Sequence, residues 1–214
     1  MSDQVQKFDP HKYWEDRHRA YGTDLRSVGN KTFDDAANRD QLIEKAVWLG
    51  WLFGALGQGP GTRLLDAGCG QGFLTRLFQG AGWQCHGIDV SHTAIEMAQA
   101  ANDGVTYEAG PLEEIETGET FDLCLLADVT YHVVEDDRLD RILARLLSVL
   151  APGGRLVVIE YFPGVESVSP HCRWRNREDY DRRLVALGAR ILRQDKLRES
   201  RTGHVKDVLT IGRD

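Results

Sequence analysis

Residues 64–72, LLDAGCGQG, constrain the chain more than any other stretch. A short apolar run ends on Asp66, glycines follow at 68, 70 and 72, and an amphipathic segment, FLTRLFQGAG, begins at once. That is the order strand, tight turn, helix start. Glycines at alternate positions remove the side chains that would keep another molecule off the backbone, and a helix N-terminus presents N–H groups with no partner inside the helix. The turn therefore suits a bound ligand, or an ordinary sharp chain reversal.

Two further stretches favour the ligand. The spacing G-x-G-x-G after an acid differs from the G-x-G-x-x-G that seats a pyrophosphate in nicotinamide and flavin enzymes. Asp66 would repel a diphosphate and suits a cationic ligand with an amino group. The next apolar run, QCHGID, ends on Asp89, where a second parallel strand presents a carboxylate to ribose hydroxyls. A Gly-Gly turn and a buried-type strand then follow in PGGRLVVIEYF, residues 152–162. Together these residues resemble the class I S-adenosylmethionine-dependent methyltransferases of small molecules, over residues 61–162.

The hydrophobic pattern predicts strands over 63–67, 84–89, 105–109, 121–127 and 155–161, with helices over 72–81, 91–102 and 136–150 between them. This βαβ rhythm implies a doubly wound, Rossmann-like, mostly parallel sheet covered on both faces. Two last β-like runs, ARILRQDKL and KDVLTIGR, bring it to seven strands with an antiparallel hairpin at the edge. Upstream, Asp9 and Pro10 read as N-cap and first residue of a short helix. Residues 22–31 read as a mobile loop. Residues 34–56 read as a long helix whose stripe Ile43, Val47, Trp48, Trp51 and Leu52 is assigned to the core. Residues 171–187 read as a loop entering a helix that ends at Gly188. With no repeat in view, 1–214 is expected to form one domain: a helical lid over 1–60, a cofactor core over 61–162, and a substrate-side loop, helix and hairpin over 163–214.

Composition narrows the partners. A net charge of -7 argues against a general nucleic-acid binder. No apolar run approaches the ~20 residues of a membrane span, and MSDQVQKFDP has no apolar signal segment, so a cytoplasmic protein is expected. Cys69, Cys85, Cys124 and Cys172 show no C-x-x-C pairing and read as small buried hydrophobes, with no metal site. Acids outnumber bases over 61–170 and bases outnumber acids after 171. The basic tail either draws an anionic substrate toward the acidic core or pairs with it. A monomer or a homodimer is expected.

The resemblance assigns roles. It lays the methionine and ribose portions of S-adenosylmethionine along Asp66, Ala67, Gly68, Cys69, Gly70 and Gly72. Asp89 takes the ribose hydroxyls, its alternative being a cap for the following helix, and Val90 packs on the adenine. Pro111 stands where members of the family often carry an aspartate, which leaves adenine to the Leu112 amide, to apolar walls, or to Glu113 or Glu114. Ala127 lends its carbonyl to the cofactor amino group. Tyr13, Trp14 and Arg17, on a YWE-type helix, lie over the cofactor pocket or pack on the core.

Asp128, Tyr131 and His132 follow the fourth strand and are the acid–base candidates. His132 titrates near neutral pH and suits proton removal from the acceptor, or it closes the pocket as a wall. His171, Arg173, Arg175 and Arg177 alternate and are expected either to point one cationic row at a substrate or to be solvated or salt-bridged. The absence of Asn-Pro-Pro-Tyr argues against the amide and exocyclic-amine enzymes. Asp128 has no evident partners for a catechol-type metal site. The expected reaction is methyl transfer to an oxygen or nitrogen of a small molecule. The alternatives are another S-adenosylmethionine chemistry, such as cyclisation or aminopropyl transfer, and a non-catalytic binding protein.

Overall fold

The structure, a computed structural model, describes residues 8–101, 104–164 and 169–213. Residues 1–7, most of the segment read for a signal, lie outside the described residues, as does residue 102 at the end of the expected 91–102 helix.

Thirteen regular elements follow in chain order: α1 (Pro10–Tyr21), α2 (Asp35–Ala55), β1 (Arg63–Ala67), α3 (Phe73–Gly80), β2 (Gln84–Asp89), α4 (His92–Ala100), β3 (Thr106–Ala109), β4 (Phe121–Ala127), α5 (Asp136–Ser148), β5 (Leu150–Glu160), α6 (Arg177–Ala186), β6 (Arg190–Arg198) and β7 (Val205–Gly212). The strands form one sheet in the order β3-β2-β1-β4-β5-β7-β6. The first five are parallel, and β7 runs antiparallel to both β5 and β6. The expected seven-stranded α/β sheet and its edge hairpin are therefore present.

Period-two alternation divides the core. Leu64, Leu123, Leu125, Val157 and Ile159 face α2 and α3 through Leu49, Phe53 and Phe78. Leu65, Cys124, Leu126, Leu156 and Val158 face the other side, where α5 and α6 supply Leu139, Leu143, Leu146 and Tyr180. Cys85 and Cys124 are buried in these layers, as read from the sequence. Strand order reverses between β1 and β4, so the crevice beyond their carboxyl ends lies at the topological switch point, where open α/β sheets hold ligands.

Three expectations are corrected. The α2 stripe is wrongly phased: Ile43, Val47 and Trp51 are 44%, 71% and 59% exposed, and the core face is Leu49, Leu52 and Phe53 with Leu42 and Ala46 beside them. The helix is apolar along two faces, so its pattern alone does not choose one. Residues 22–31 are not simply a loop. They contain a 3₁₀ turn, Leu25–Ser27, with Leu25 and Ser27 buried. β5 starts at Leu150, five residues early, because Leu150 pairs with Phe121 before a register shift leads to Arg155 opposite Leu123.

Candidate active site

Gly68, Gly70 and Gly72 all have positive φ, at 83°, 55° and 76°. A Cβ on Gly68 would stand 2.3 Å from Val129 Cγ2, and one on Gly70 would stand 2.5 Å from Val28 Cγ1. The chain's own packing thus demands glycine there, independently of any ligand. Asp66 is buried and accepts from Thr75 Oγ1 at 2.6 Å. Burial pushes its carboxyl up to about 6, against the Thr75 hydrogen bond. Asp89 accepts from the Gly70 N–H at 2.8 Å through Oδ2 and from the Ser91 N–H at 2.9 Å through Oδ1. Burial raises its pKa as well. Ser91 itself caps α4, accepting from the Ala94 N–H, so Asp89 ties the turn to the helix start without being the cap.

A cavity of about 150 Å³ runs over this turn. Asp66, Gly68, Cys69 and Gly70 form its floor, with Asp89 and Val90 beyond them. Leu112, Val133, Ile142 and Arg138 line it too, as do Ala127, Asp128 and His132. Arg138 donates to Glu113 at 2.7 Å, which engages one of the two carboxylates considered for adenine. Ala67 is fully buried in the core and does not reach the cavity, and neither do Gly72 and Pro111.

The N-terminal segment roofs the cavity with Pro10, Trp14 and His18. Glu15 fastens α1 to the core by accepting from Ser91 Oγ at 2.7 Å and Thr93 Oγ1 at 2.6 Å. Burial would raise the Glu15 carboxyl, yet the hydrogen bonds from Thr93 and Ser91 and the charge of Arg19 bring it down to about 2. Gln71 ties the loop beneath α1 to the glycine turn, donating to the Thr23 carbonyl and to Ser27 Oγ.

Two of the three residues expected over the pocket are placed elsewhere. Arg17 donates to the Arg26 and Gly29 carbonyls, holding the loop closed, and does not line the turn cavity. Tyr13 stacks on His171, with ring centroids 5.0 Å apart, and lines neither cavity.

A second cavity of about 350 Å³ adjoins the first, and both are lined by Trp14, Val28, Leu42, Lys45, Asp128 and His132. Asp128 is a non-glycine residue at φ 61°, a strained backbone that recurs at functional sites. Lys45 on α2 and Lys206 on β7 both donate to its carboxylate, Lys206 at 2.6 Å. Burial would raise the Asp128 pKa, but Lys206 and Lys45 hold it far below the usual carboxylate range. Asp128, one of the three acid–base candidates, is therefore ionised and paired with two ammonium groups. Tyr131 lines only the second cavity, and burial and Asp128 push its hydroxyl well above its ordinary pKa.

His132 ends the 3₁₀ turn Thr130–His132. Glu160 and Arg175 hold that turn. Glu160 accepts from Thr130 Oγ1 at 2.6 Å and from Tyr180, and Arg175 donates to the Thr130 and Val133 carbonyls. His132 Nδ1 lies 3.0 Å from the His171 carbonyl, which only accepts, so Nδ1 carries the proton and Nε2 is the acceptor. Burial pushes His132 down to about 4, against that hydrogen bond.

Of the two readings of the run after residue 171, the arginines take the salt-bridged one. Arg175 is buried on backbone carbonyls and Asp136, Arg173 also pairs with Asp136, and Arg177 pairs with Asp181. Of that group only His171 stays beside the site, in ring contact with His132 and Tyr13. Cys172 is also not a core filler: its Sγ lies 3.5 Å from His132 Nδ1. His132, His171 and Cys172 bring ligand atoms within 4.8 Å of one another. A cation there would have to displace the His132 hydrogen bond to the His171 carbonyl and face the charges of Lys31 and Arg17, which depress His171 after burial does.

Three residues escaped the sequence reading. His18 donates through Nδ1 to the Trp14 carbonyl, its buried Nε2 has no hydrogen-bond partner among the described residues, and the residue lines the turn cavity with Asp89. Its placement on the same helix as Trp14 was the one available signal. Lys45 and Lys206 stand 83 and 78 residues from Asp128, and nothing local marks either.

Comparison with known proteins agrees with this geometry. Residues 64–154 match the family model described as a methyltransferase domain. A ubiquinone biosynthesis O-methyltransferase of Bradyrhizobium sp. (strain ORS 278) is 35% identical over 102 residues, covering 46% of this chain. The chain matches 39% of the length of that relative. Among solved structures, magnesium protoporphyrin IX methyltransferase from Synechocystis PCC 6803 with bound S-adenosylmethionine superposes with a TM-score of 0.70 at 20% identity, over 97% of this chain and 98% of the other. The 1,6-didemethyltoxoflavin-N1-methyltransferase of Burkholderia thailandensis, with its substrate and S-adenosylhomocysteine, gives 0.69 at 21% identity, over 97% and 92%. In its strand order, its acid-led glycine turn and the match over residues 64–154, the chain is similar to methyltransferase-domain proteins and shares their fold.

Proposed function

We propose that the chain transfers a methyl group from S-adenosylmethionine to a nucleophile on a small molecule, with the cofactor in the turn cavity and the acceptor in the adjoining one. The observation that carries this reading is the junction of the two cavities at Asp128 and His132, directly after β4. The residues present fit the cofactor. Gly68 and Gly70 leave the turn bare, Asp66 offers a carboxylate to an amino group, Asp89 keeps lone pairs for ribose hydroxyls, and His18, its Nε2 without a hydrogen-bond partner among the described residues, lines the same space. Leu112, Val133 and Ile142 supply apolar walls for a base. S-adenosylmethionine brings a methyl group already activated by its sulfonium, so the protein has to align the acceptor and remove its proton.

His132 is the group for that proton. Held neutral by burial, with Nδ1 anchored on the His171 carbonyl, it offers Nε2 as the acceptor at neutral pH. Trp14 and the loop below α1 cover the junction and exclude water. Its four free thiols suit the cytoplasm, and no helix among the described residues is long and apolar enough to cross a membrane.

Thermal-shift titration with S-adenosylmethionine, S-adenosylhomocysteine and NAD tests the cofactor, since a ligand of the folded state raises Tm by mass action. Both sulfur compounds should raise it and NAD should not. A shift with NAD alone, or none, overturns the proposal.

A further inference from the structure

We propose that the second cavity takes a flat aromatic acceptor bearing an acidic hydroxyl, phenolic or enolic, whose oxygen anion is held by Lys45 and Lys206 beside His132. The inference deepens the methyl-transfer reading and rests on it for the meaning of the junction, while its evidence is the cavity's own chemistry.

The first part of that evidence is electrostatic. An ammonium has three donors. Among the described residues Lys45 spends one, on Asp128, and Lys206 spends two, on Asp128 and on Glu199 at 2.7 Å. Both side chains are only 12% exposed, so water has limited access to the donors that remain. Spare ammonium donors in a partly buried space call for an oxygen acceptor. The carboxylate at this point is already neutralised by two lysines, which leaves no net negative charge to draw a cationic acceptor. A protonated amine would meet Lys45 and Lys206 and be repelled, whereas an oxygen that ionises is stabilised.

The same inventory offers no arginine fork for two-point capture of a carboxylate. Carboxylates are taken in two-point fashion by an arginine fork, and Arg17, the guanidinium lining this cavity, is turned onto the Arg26 and Gly29 carbonyls. Glu44, the remaining acid lining this cavity, accepts from the Ser200 N–H and hydroxyl. The other titratable groups facing the space are Tyr131, His132, Tyr161, Cys172 and His204. Of these His132 is held neutral and able to take the proton that the hydroxyl gives up, which goes to Nε2.

The second part is shape. Trp14, Tyr131, Tyr161 and Trp174 give the cavity aromatic walls, with Tyr161 and Trp174 meeting edge to face at 5.7 Å. Walls of this kind hold a flat ring by stacking and edge contacts. A volume of about 350 Å³ suits one or two fused rings.

The probe is 7-hydroxycoumarin, whose neutral and anionic forms fluoresce differently, compared with 7-aminocoumarin and with coumarin itself. Each is titrated into the full chain across pH, with and without S-adenosylhomocysteine. The hydroxycoumarin should bind as its anion, ionising at least about one pH unit lower than in free solution, a tenfold preference for the charged form. The amine and the parent should bind at least tenfold more weakly. Lys45→Met and Lys206→Met should each return the ionisation toward the free value, and Lys45→Arg should restore it; melting curves establish that each variant is folded. Tight binding of the amine, binding of the hydroxycoumarin in its neutral form, or an unchanged ionisation in both Met variants overturns the proposal. A protein that captures the coumarin anion yet ignores S-adenosylhomocysteine refutes the cofactor reading alone.

Discussion

Replacing Asp89 separates two roles that the structure gives one carboxylate. Its oxygens accept from the Gly70 and Ser91 N–H groups at 2.8 and 2.9 Å, and both contacts are buried. In Asp89→Ala these donors lose their partner, at ~1–3 kcal/mol for each unsatisfied group. The cavity beside them admits water, which favours the lower end and a net loss of roughly 2 kcal/mol. For a domain of this size that lowers Tm by about 4–8 °C. Asp89→Asn keeps one acceptor oxygen and should lose about half as much. Ligand affinity responds differently, because both variants lack the charge that strengthens a hydrogen bond from a ribose hydroxyl. Each should bind S-adenosylhomocysteine with a Kd raised by about 10- to 100-fold, from ~1.5–3 kcal/mol of lost interaction. Melting curves without ligand give the first quantity and calorimetry gives the second. An alanine variant that melts within a degree of the parent and keeps its affinity within twofold would refute both roles.

Three further outcomes follow from the same contacts. His132→Ala should lower turnover by about 10²- to 10⁴-fold with little change in S-adenosylhomocysteine affinity. In the parent, kcat/KM should fall on the acid side through an ionisation near 4, well below the ordinary 6.5; a profile centred at 6.5 counts against His132 as the base. Because the unfolded chain takes up this proton from about pH 6.5 and the folded one only near 4, His132 should also make stability decline on acidification across that window, a slope that denaturant titrations would find missing in the variant. Glu15, depressed from 4.5 to about 2, stabilises the docked α1 fully above 4.5 and loses that contribution as pH falls toward 2, so hydrogen exchange in α1 should rise there first, and Glu15→Gln should abolish the difference. Leu49→Ala on the buried face of α2 should destabilise by ~2–5 kcal/mol, whereas Val47→Lys on its exposed face should change stability by less than about 0.5 kcal/mol; equal losses would restore the stripe to the core.

What the sequence determines by itself is whatever short-range pattern encodes. The apolar run, Asp66 and three alternate glycines specify strand, turn and helix within nine residues, and Asp89 sits at the end of the next strand because period-two patterning places it there. The Asp9 and Pro10 cap, the βαβ alternation and the edge hairpin are local in the same sense. Tertiary structure decides whatever depends on which faces meet. α2 has two apolar faces, and only the sheet beneath it selects Leu49 and Phe53 over Val47 and Trp51. The arginines after residue 171 look like a substrate row in sequence, but buried carbonyls of the 130–133 turn and Asp136 lie within reach and claim Arg173 and Arg175. Asp128 reads as an acid–base candidate in sequence, and only the fold brings two lysines from distant elements onto it, a pairing that no spacing announces because α2 and β7 meet it through tertiary packing. Local geometry thus locates the cofactor turn. The second cavity is assembled from α1, α2, the segment after β5 and the last hairpin, and its chemistry exists only in three dimensions.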